Sequence, residues 1–185
     1  MLFLNRRELE IRKVNFVVDL PPGDIDFQNS AIQQASALHA EGGAELLNEM
    51  LGEIRVRGHL KVGMKAECDR CLEPVPVQID SDFDLFYRSS EFETSESEHA
   101  LDAGEAEIAF YEGEGLELND VLREHVLLSL PMQLVCSEGC QGICPVCGRN
   151  RNLGDCGCQT RPADDRWSAL REVRGALKPG NGDAA

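Results

Sequence analysis

No apolar run in the sequence approaches the roughly 20 residues needed to cross a bilayer as a helix, so a spanning helix is not expected. A secretory signal is not expected either, since Met1-Leu-Phe-Leu is followed at once by Asn5-Arg6-Arg7-Glu8. Both point to a reducing space, the cytoplasm or its organellar equivalent. Aromatic residues are scarce at 5%, yet 42% hydrophobic residues are enough to build a core for one domain, or one domain with a small appended module. Positive charge is scarce as well: 18 Lys and Arg stand against 33 Asp and Glu, a net charge of −15. Between Gln78 and Asp120 fourteen acidic residues face one basic residue, Arg88. Such a chain does not attract phosphate through its average field, so any RNA contact must be local and basic, or indirect through a basic protein partner. The one basic stretch is Arg149–Lys178, with seven basic and four acidic residues.

What the chain does have is sulfur. Six of its eight cysteines fall in Cys136-Ser-Glu-Gly-Cys140-Gln-Gly-Ile-Cys144-Pro-Val-Cys147-Gly and in Cys156-Gly-Cys158; the other two form the C-x2-C pair Cys68 and Cys71. Thiolates are soft ligands for tetrahedral ions, and a pair two or three residues apart presents two sulfurs from one turn. In the CPVCG element, Pro145 stiffens that turn and Gly148 can take the positive φ that aims backbone N–H groups at the thiolates. Zinc held by these cysteines is the expected cofactor. A disulfide framework is numerically possible but is disfavoured in a reducing compartment. A catalytic dithiol would open a helix after a strand, whereas Cys144 and Cys147 lie among glycine-rich turns.

Read in order, the first ten residues predict a short helix with Asn5 as a possible cap. Val14, Phe16, Val18 and Leu20 alternate as in a half-buried strand that stops at Pro21-Pro22-Gly23. Between Asn29 and Glu41 the run AIQQASALHA predicts a helix, capped by Asn29 or Ser30 and stopped by Gly42-Gly43, with His39 on the surface near its end. From Ile54 to Ala66 the even positions are apolar and the odd ones include Arg55, Arg57, His59, Lys61 and Lys65, the pattern of a strand with one basic face. That stripe has two readings. It can bind RNA, or it can pair with the run that follows Cys71, where Val77, Ile79, Phe83 and Leu85 share one face and Asp80, Asp82 and Asp84 the other. Folding the two about the intervening turn sets Lys61 opposite Asp80, His59 opposite Asp82, Arg57 opposite Asp84, Val62 opposite Ile79 and Val56 opposite Leu85. Cys68 and Cys71 then sit at the tip of a long hairpin, with His59 a paired surface residue rather than a ligand.

Residues 89–115 predict an acidic loop with a short strand near its end, at Glu107–Tyr111. A helix is expected from Asn119 or Asp120, with Val121, Leu122, Val126, Leu127 and Leu130 as its apolar stripe, His125 packed or on the surface, and Pro131 after its end. It should cover the sheet and deliver Cys136 toward the hairpin tip. Beyond Cys158, Trp167, Leu170, Val173 and Leu177 recur at helical spacing among Arg166, Arg171 and Arg174. This predicts a basic amphipathic helix, able to dock on RNA or a ribosomal surface or to pack back on the domain, before a disordered end from Pro179. The fold class expected is α+β: an antiparallel sheet with a long hairpin under one or two helices, plus a C-terminal cysteine-rich segment. The boundaries are 1–135 for the α+β domain, 136–160 for the cysteine-rich segment and 161–185 for the basic tail.

Eight cysteines make two four-thiolate sites. The pairs Cys144/Cys147 and Cys156/Cys158 close a short loop at little entropic cost, leaving Cys68/Cys71 with Cys136/Cys140 as a long-range site. The exchange of Cys144/Cys147 for Cys136/Cys140 as partners of Cys68/Cys71 remains open. Four protein thiolates leave no coordination position for a water, so zinc hydrolysis chemistry is not expected.

ECDRCLEPV at Glu67–Val75, LLSLPMQLVC at Leu127–Cys136 and CQGICPVCGRNRNLGDCGC at Cys140–Cys158 together resemble the YceD family of bacterial and plastid proteins. The resemblance extends from about Ile54 to Cys158. It implies a non-enzymatic role in large-subunit ribosome biogenesis, in 23S rRNA synthesis, processing or accumulation, with large-subunit ribosomal RNA or a ribosomal protein as partner and no membrane or small-molecule substrate. It also implies Cys68, Cys71, Cys136, Cys140, Cys144, Cys147, Cys156 and Cys158 as ligands for one or two zinc ions. The alternative is a zinc-dependent adaptor in transcription or RNA decay. For direct RNA contact, the candidates are Arg149, Arg151, Arg166, Arg171 and Arg174.

Overall fold

The computed structural model describes residues 2–28, 31–92 and 108–158. The chain runs β1 (Phe3–Asn5), α1 (Arg6–Ile11), β2 (Val14–Leu20), β3 (Ile32–Gln34), β4 (Leu38–Asn48), β5 (Glu53–Glu67), β6 (Pro74–Ser89), β7 (Ile108–Tyr111), β8 (Gly115–Glu117) and α2 (Leu118–Ser129). This is an α+β fold with a mixed, mostly antiparallel sheet and few helices. The centre of the predicted acidic loop and the whole predicted basic helix, with Arg166, Arg171 and Arg174, lie outside the described residues. The structure divides between Cys140 and Gln141 into two units.

The first unit is built on the β5–β6 hairpin. Its register sets Lys61 opposite Asp80, His59 opposite Asp82, Arg57 opposite Asp84, Val62 opposite Ile79 and Val56 opposite Leu85, as the alternation predicts. A slip of one residue would turn one strand's charges onto the apolar face, and a slip of two would separate the matched charge pairs. Ion pairing on the polar face is partly diagonal. Arg55 rather than Arg57 binds Asp84 (Nε to Oδ1 2.7 Å), while His59 reaches both Asp80 at 3.0 Å and Asp82 at 2.9 Å. The basic stripe is therefore largely consumed by internal pairing.

The sheet order is β2-β4-β5-β6-β7, with β3 beside the far end of β5. The helix predicted between Asn29 and Glu41 is not formed: residues 32–34 and 38–41 are strand, in β3 and at the start of β4, while Asn29 and Ser30 are outside the described residues. Helix-favouring Ala and Gln side chains are overridden by pairing on both sides of β4, which buries Leu38, Ala40 and Ala44 on one face. Gly42 and Gly43 do not stop a helix; they lie within β4. Phe16, Gly42, Gly58 and Phe83 form one row across four strands. A Cβ on Gly42 would sit 2.3 Å from the Arg57 carbonyl oxygen, and one on Gly58 2.3 Å from that of Glu41, so only glycine fits where these strands approach.

Asn5 caps α1, its side chain accepting from the Arg7 N–H at 2.9 Å, and β1 pairs with β8, which sequence patterning did not reveal. α2 begins one turn position earlier than expected, at Leu118, and Glu117 at its N-cap makes no side-chain capping bond. Leu118, Val121, Leu122 and Val126 bury its apolar stripe in the core cluster shared with Leu4, Ile54, Leu60 and Tyr87. The short strand near the end of the acidic segment is present as β7, and it runs parallel to β6.

Candidate metal centres

Cys68 and Cys71 ride the turn that joins β5 to β6. The Cys68 N–H donates to the Glu73 carbonyl and the Leu72 N–H to the Cys68 carbonyl, both at 2.9 Å, closing Cys68-Asp69-Arg70-Cys71 into a knuckle. Leu72 completes the turn at φ 63°, a left-handed conformation that strains a residue with a Cβ. The segment after α2 is clipped onto this knuckle at several points. The Asp69 N–H donates to the Leu134 carbonyl at 2.8 Å, and the Leu134 N–H donates to Asp69 Oδ2 at 2.7 Å. The Arg70 guanidinium donates to the carbonyls of Glu138 (3.4 Å) and Cys140 (3.2 Å). These bonds bring Cys136 and Cys140 to the tip. Cys71 Sγ lies 3.5 Å from Cys136 Sγ and Cys68 Sγ 3.8 Å from Cys140 Sγ, and all four sulfurs are within 4.8 Å of one another. Cys68, Cys71 and Cys140 are buried, with Val75 and Val135 packed against them.

In the second unit, Cys144-Pro-Val-Cys147 repeats that knuckle. The Cys144 N–H donates to the Arg149 carbonyl and the Gly148 N–H to the Cys144 carbonyl, both at 2.8 Å, with Gly148 at φ 73° in the place of Leu72. The return strand of chain is held by the Ile143–Asn150 bridge, by the Gln141 N–H donating to Asn152 Oδ1 at 2.8 Å and by a 3-10 turn at Arg151–Leu153. Gly157 at φ 66° then turns Cys156 and Cys158 toward Cys144 and Cys147, and these four sulfurs also lie within 4.8 Å of one another. The structure thus groups Cys68/Cys71 with Cys136/Cys140 and Cys144/Cys147 with Cys156/Cys158, and not in the exchanged arrangement.

The donor sets fit a cation. A tetrahedral ion with sulfur ligands at about 2.3 Å sets neighbouring sulfurs roughly 3.8 Å apart, close to the separations at the hairpin tip and well beyond a bonded S–S pair. In each cluster the thiols titrate far apart. Burial pushes the Cys68 thiol up, but the N–H groups of Arg70, Cys71 and Cys136 outweigh it and bring Cys68 down to about 6. The N–H groups of Cys147 and Val146 bring Cys144 down to about 6. Cys71 rises to about 12: the Glu73 N–H lowers it, and burial and the neighbouring thiols more than offset that. Cys147 and Cys156 push Cys158 to about 12. Four sulfurs this close cannot all ionise without a countercharge, and a shared divalent cation supplies one. Among the described residues no histidine joins either set. His39 faces Asp19 at 2.8 Å; His59 is raised by its hydrogen bond to Asp82 and the charge of Asp80; His125 is lowered by burial and lies 3.0 Å from Ser81 Oγ.

Among the RNA candidates, Arg149 and Arg151 are exposed in the second unit. Sequence reasoning passed over Asp69, Arg70 and Asn152, the side chains that fasten the two clusters. Their only signal is position inside or just after a knuckle, where a short acceptor or a guanidinium meets free backbone groups.

A family model described as large ribosomal RNA subunit accumulation protein YceD matches residues 56–174. The chain belongs to the YceD family. All eight cysteines fall within the matched residues. Relatives include the uncharacterized protein Rv2926c of Mycobacterium tuberculosis and the uncharacterized protein Mb2951c of Mycobacterium bovis. Each is 27% identical over 154 residues, spanning 83% of this chain and 70% of the relative. No solved structure matches the chain. Membership in the YceD family suggests a role in the accumulation of large-subunit ribosomal RNA. No helix among the described residues is long and apolar enough to cross a membrane.

Proposed function

We propose that this protein is a non-enzymatic, zinc-binding factor of large-subunit ribosome biogenesis that promotes 23S rRNA synthesis, processing or accumulation in the cytoplasm. The observation that carries this reading is the YceD match itself, which spans both four-cysteine clusters. Zinc is the ion of choice because four thiolates without oxygen or nitrogen donors suit a tetrahedral, borderline-soft, redox-inert cation. With four protein ligands per ion, no position is left to activate a water, so each ion stabilises structure. Cys68, Cys71, Cys136 and Cys140 hold one zinc, and Cys144, Cys147, Cys156 and Cys158 hold a second. Contact with large-subunit ribosomal RNA, or with a ribosomal protein on it, falls to Arg149, Arg151, Arg166, Arg171 and Arg174, the basic residues of an otherwise acidic chain.

The test is depletion of the protein followed by quantitation of 23S against 16S rRNA, with rescue by the wild-type chain. A fall in the ratio is expected; an unchanged ratio rejects the reading. Reversing the five arginine charges separates contact from scaffold: association with ribosomal precursor particles should weaken and lose part of its salt dependence. Co-purification of polymerase or nuclease subunits in place of such particles would favour the adaptor alternative.

A further inference from the structure

Between α2 and the β6–β7 edge lie two adjoining hollows of about 350 and 300 Å³, which share Tyr87 and Glu124 in their walls. Their apolar surface is well exposed: Phe110 is 51% exposed, Phe3 40% and Leu128 75%. Ile108 and Ala109 continue the floor. The rim is acidic, with Glu112, Glu117, Asp120 and Glu124. Among the described residues no lysine or arginine lines either hollow, and burial lowers the pKa of His125, which does. Arg123 pairs with Asp120 at 3.1 Å, and Tyr87 donates to Glu124 at 3.3 Å. Glu117 Oε2 is shielded from solvent and has no hydrogen-bond partner among the described residues, so it is a desolvated acceptor without a donor.

We propose that this groove is a docking site for a basic amphipathic segment of a partner protein, whose arginine or lysine side chains meet Glu112, Glu117 and Glu124 while its apolar face covers Phe110, Phe3 and Leu128. Charge complementarity selects that occupant. A nucleic acid would meet four carboxylates with only Arg123, already paired with Asp120, to offset them, and an uncharged apolar segment would leave the rim carboxylates partly desolvated without partners. An exposed aromatic pair beside carboxylates also offers a guanidinium both a ring face and an anion. The groove shares no lining residue with the Cys68/Cys71/Cys136/Cys140 cluster, and the proposal stands whether or not the biogenesis reading does.

A fluorescent sixteen-residue peptide of alternating leucine and arginine turns, helical by design, serves as the probe against the full, metal-loaded chain. Binding should be salt-dependent, and the double variant Glu117→Gln, Glu124→Gln should weaken it about tenfold. Phe110→Ser, at an exposed position, should weaken it several-fold. The control variant Glu41→Gln, Glu67→Gln removes the same charge from elsewhere and should leave affinity nearly unchanged. Hydrogen exchange on the wild-type complex should show protection at residues 108–128. Equal loss in groove and control variants, or protection confined to residues 93–107, would mean attraction by overall charge and overturns the proposal. Equal affinity for a single-stranded RNA of the same length overturns it as well.

Discussion

The same knuckle is mounted in two ways in this protein. At the hairpin tip, Cys68 and Cys71 stand at the end of two long paired strands, and their partners arrive from some sixty-five residues later in the chain. In the second unit Cys144 and Cys147 stand on turns alone, and their partners follow within about ten residues. The backbone bonds that shape the two knuckles match: first-cysteine N–H to the carbonyl five residues on, and the N–H four residues on back to the first-cysteine carbonyl. What differs is the loop each cluster closes. Loop entropy grows only logarithmically, so the longer closure restrains the unfolded chain by about 2 kcal/mol more. The tip cluster is also the more buried, with only Cys136 exposed, whereas Cys147 and Cys158 are both exposed. A metal at the tip therefore acts on the whole first unit, and a metal in the second acts on its own turns.

The largest expected difference is in thermal stability. Cys140→Ser should remove one metal and lower the melting temperature of the sheet by 10 °C or more, since a structural zinc site contributes several kcal/mol or more. Cys158→Ser should remove one metal and leave the sheet transition within a few degrees. Metal content by non-denaturing mass spectrometry and far-ultraviolet melting check both, and equal shifts would break the comparison. Next comes access. Under a chelator with an alkylating agent, exposed Cys147 should be modified several-fold faster than Cys68, burial outweighing the lowered pKa of Cys68, read by peptide mass spectrometry; the reverse order would show that thiolate character, not access, governs.

A smaller effect sharpens the comparison at one backbone position. Leu72 takes the left-handed conformation that Gly148 takes in the other knuckle. Leu72→Gly should relieve strain and stabilise the first unit by up to about 1 kcal/mol, while Gly148→Leu should destabilise the second cluster by about 1–2 kcal/mol. Denaturant titration of each variant decides; a destabilising Leu72→Gly would show that the leucine side chain, not the strain, matters there. The smallest effect is in pH. His125 is depressed by burial, so its contribution is present above its unfolded value near 6.5 and is lost as pH falls through its lower folded value. His59 is raised by Asp82 and Asp80, so its contribution is present below that unfolded value and fades as pH rises through its higher folded one. The described part of the second unit has no histidine. His125→Gln should therefore flatten the acid side of the first unit's stability curve and leave the second cluster's metal affinity untouched.

Much of this was legible before any coordinates. The β5–β6 register followed from the match of Lys61, His59 and Val62 with Asp80, Asp82 and Ile79, because alternation excludes odd slips and the charge pairs select among the even ones. Spacing favoured the cysteine grouping but left the exchanged arrangement open, and only the folded chain separates the two. β4 was misread because its core positions are Ala40, Gly42 and Ala44, small residues that carry little apolar signal, so the alternation was hidden and helix propensity spoke louder. Asp69 and Arg70 were invisible as fasteners because their partners are backbone groups of a segment more than sixty residues distant, which leaves no mark in a local pattern.

The glycine row has a mechanical consequence. From Gly58 to Cys68 the hairpin is ten residues long, roughly 33 Å of extended chain. With the glycine row, where the Phe16 and Phe83 rings lie over bare backbone, taken as a fulcrum, the sulfur-bearing tip stands at the end of the lever. A tilt of about 5° at the fulcrum would swing the tip by roughly 3 Å, nearly the width of the cluster it carries. Glycines at two positions in mid-sheet hence bear on the aim of Cys68 and Cys71, the two sulfurs the hairpin carries.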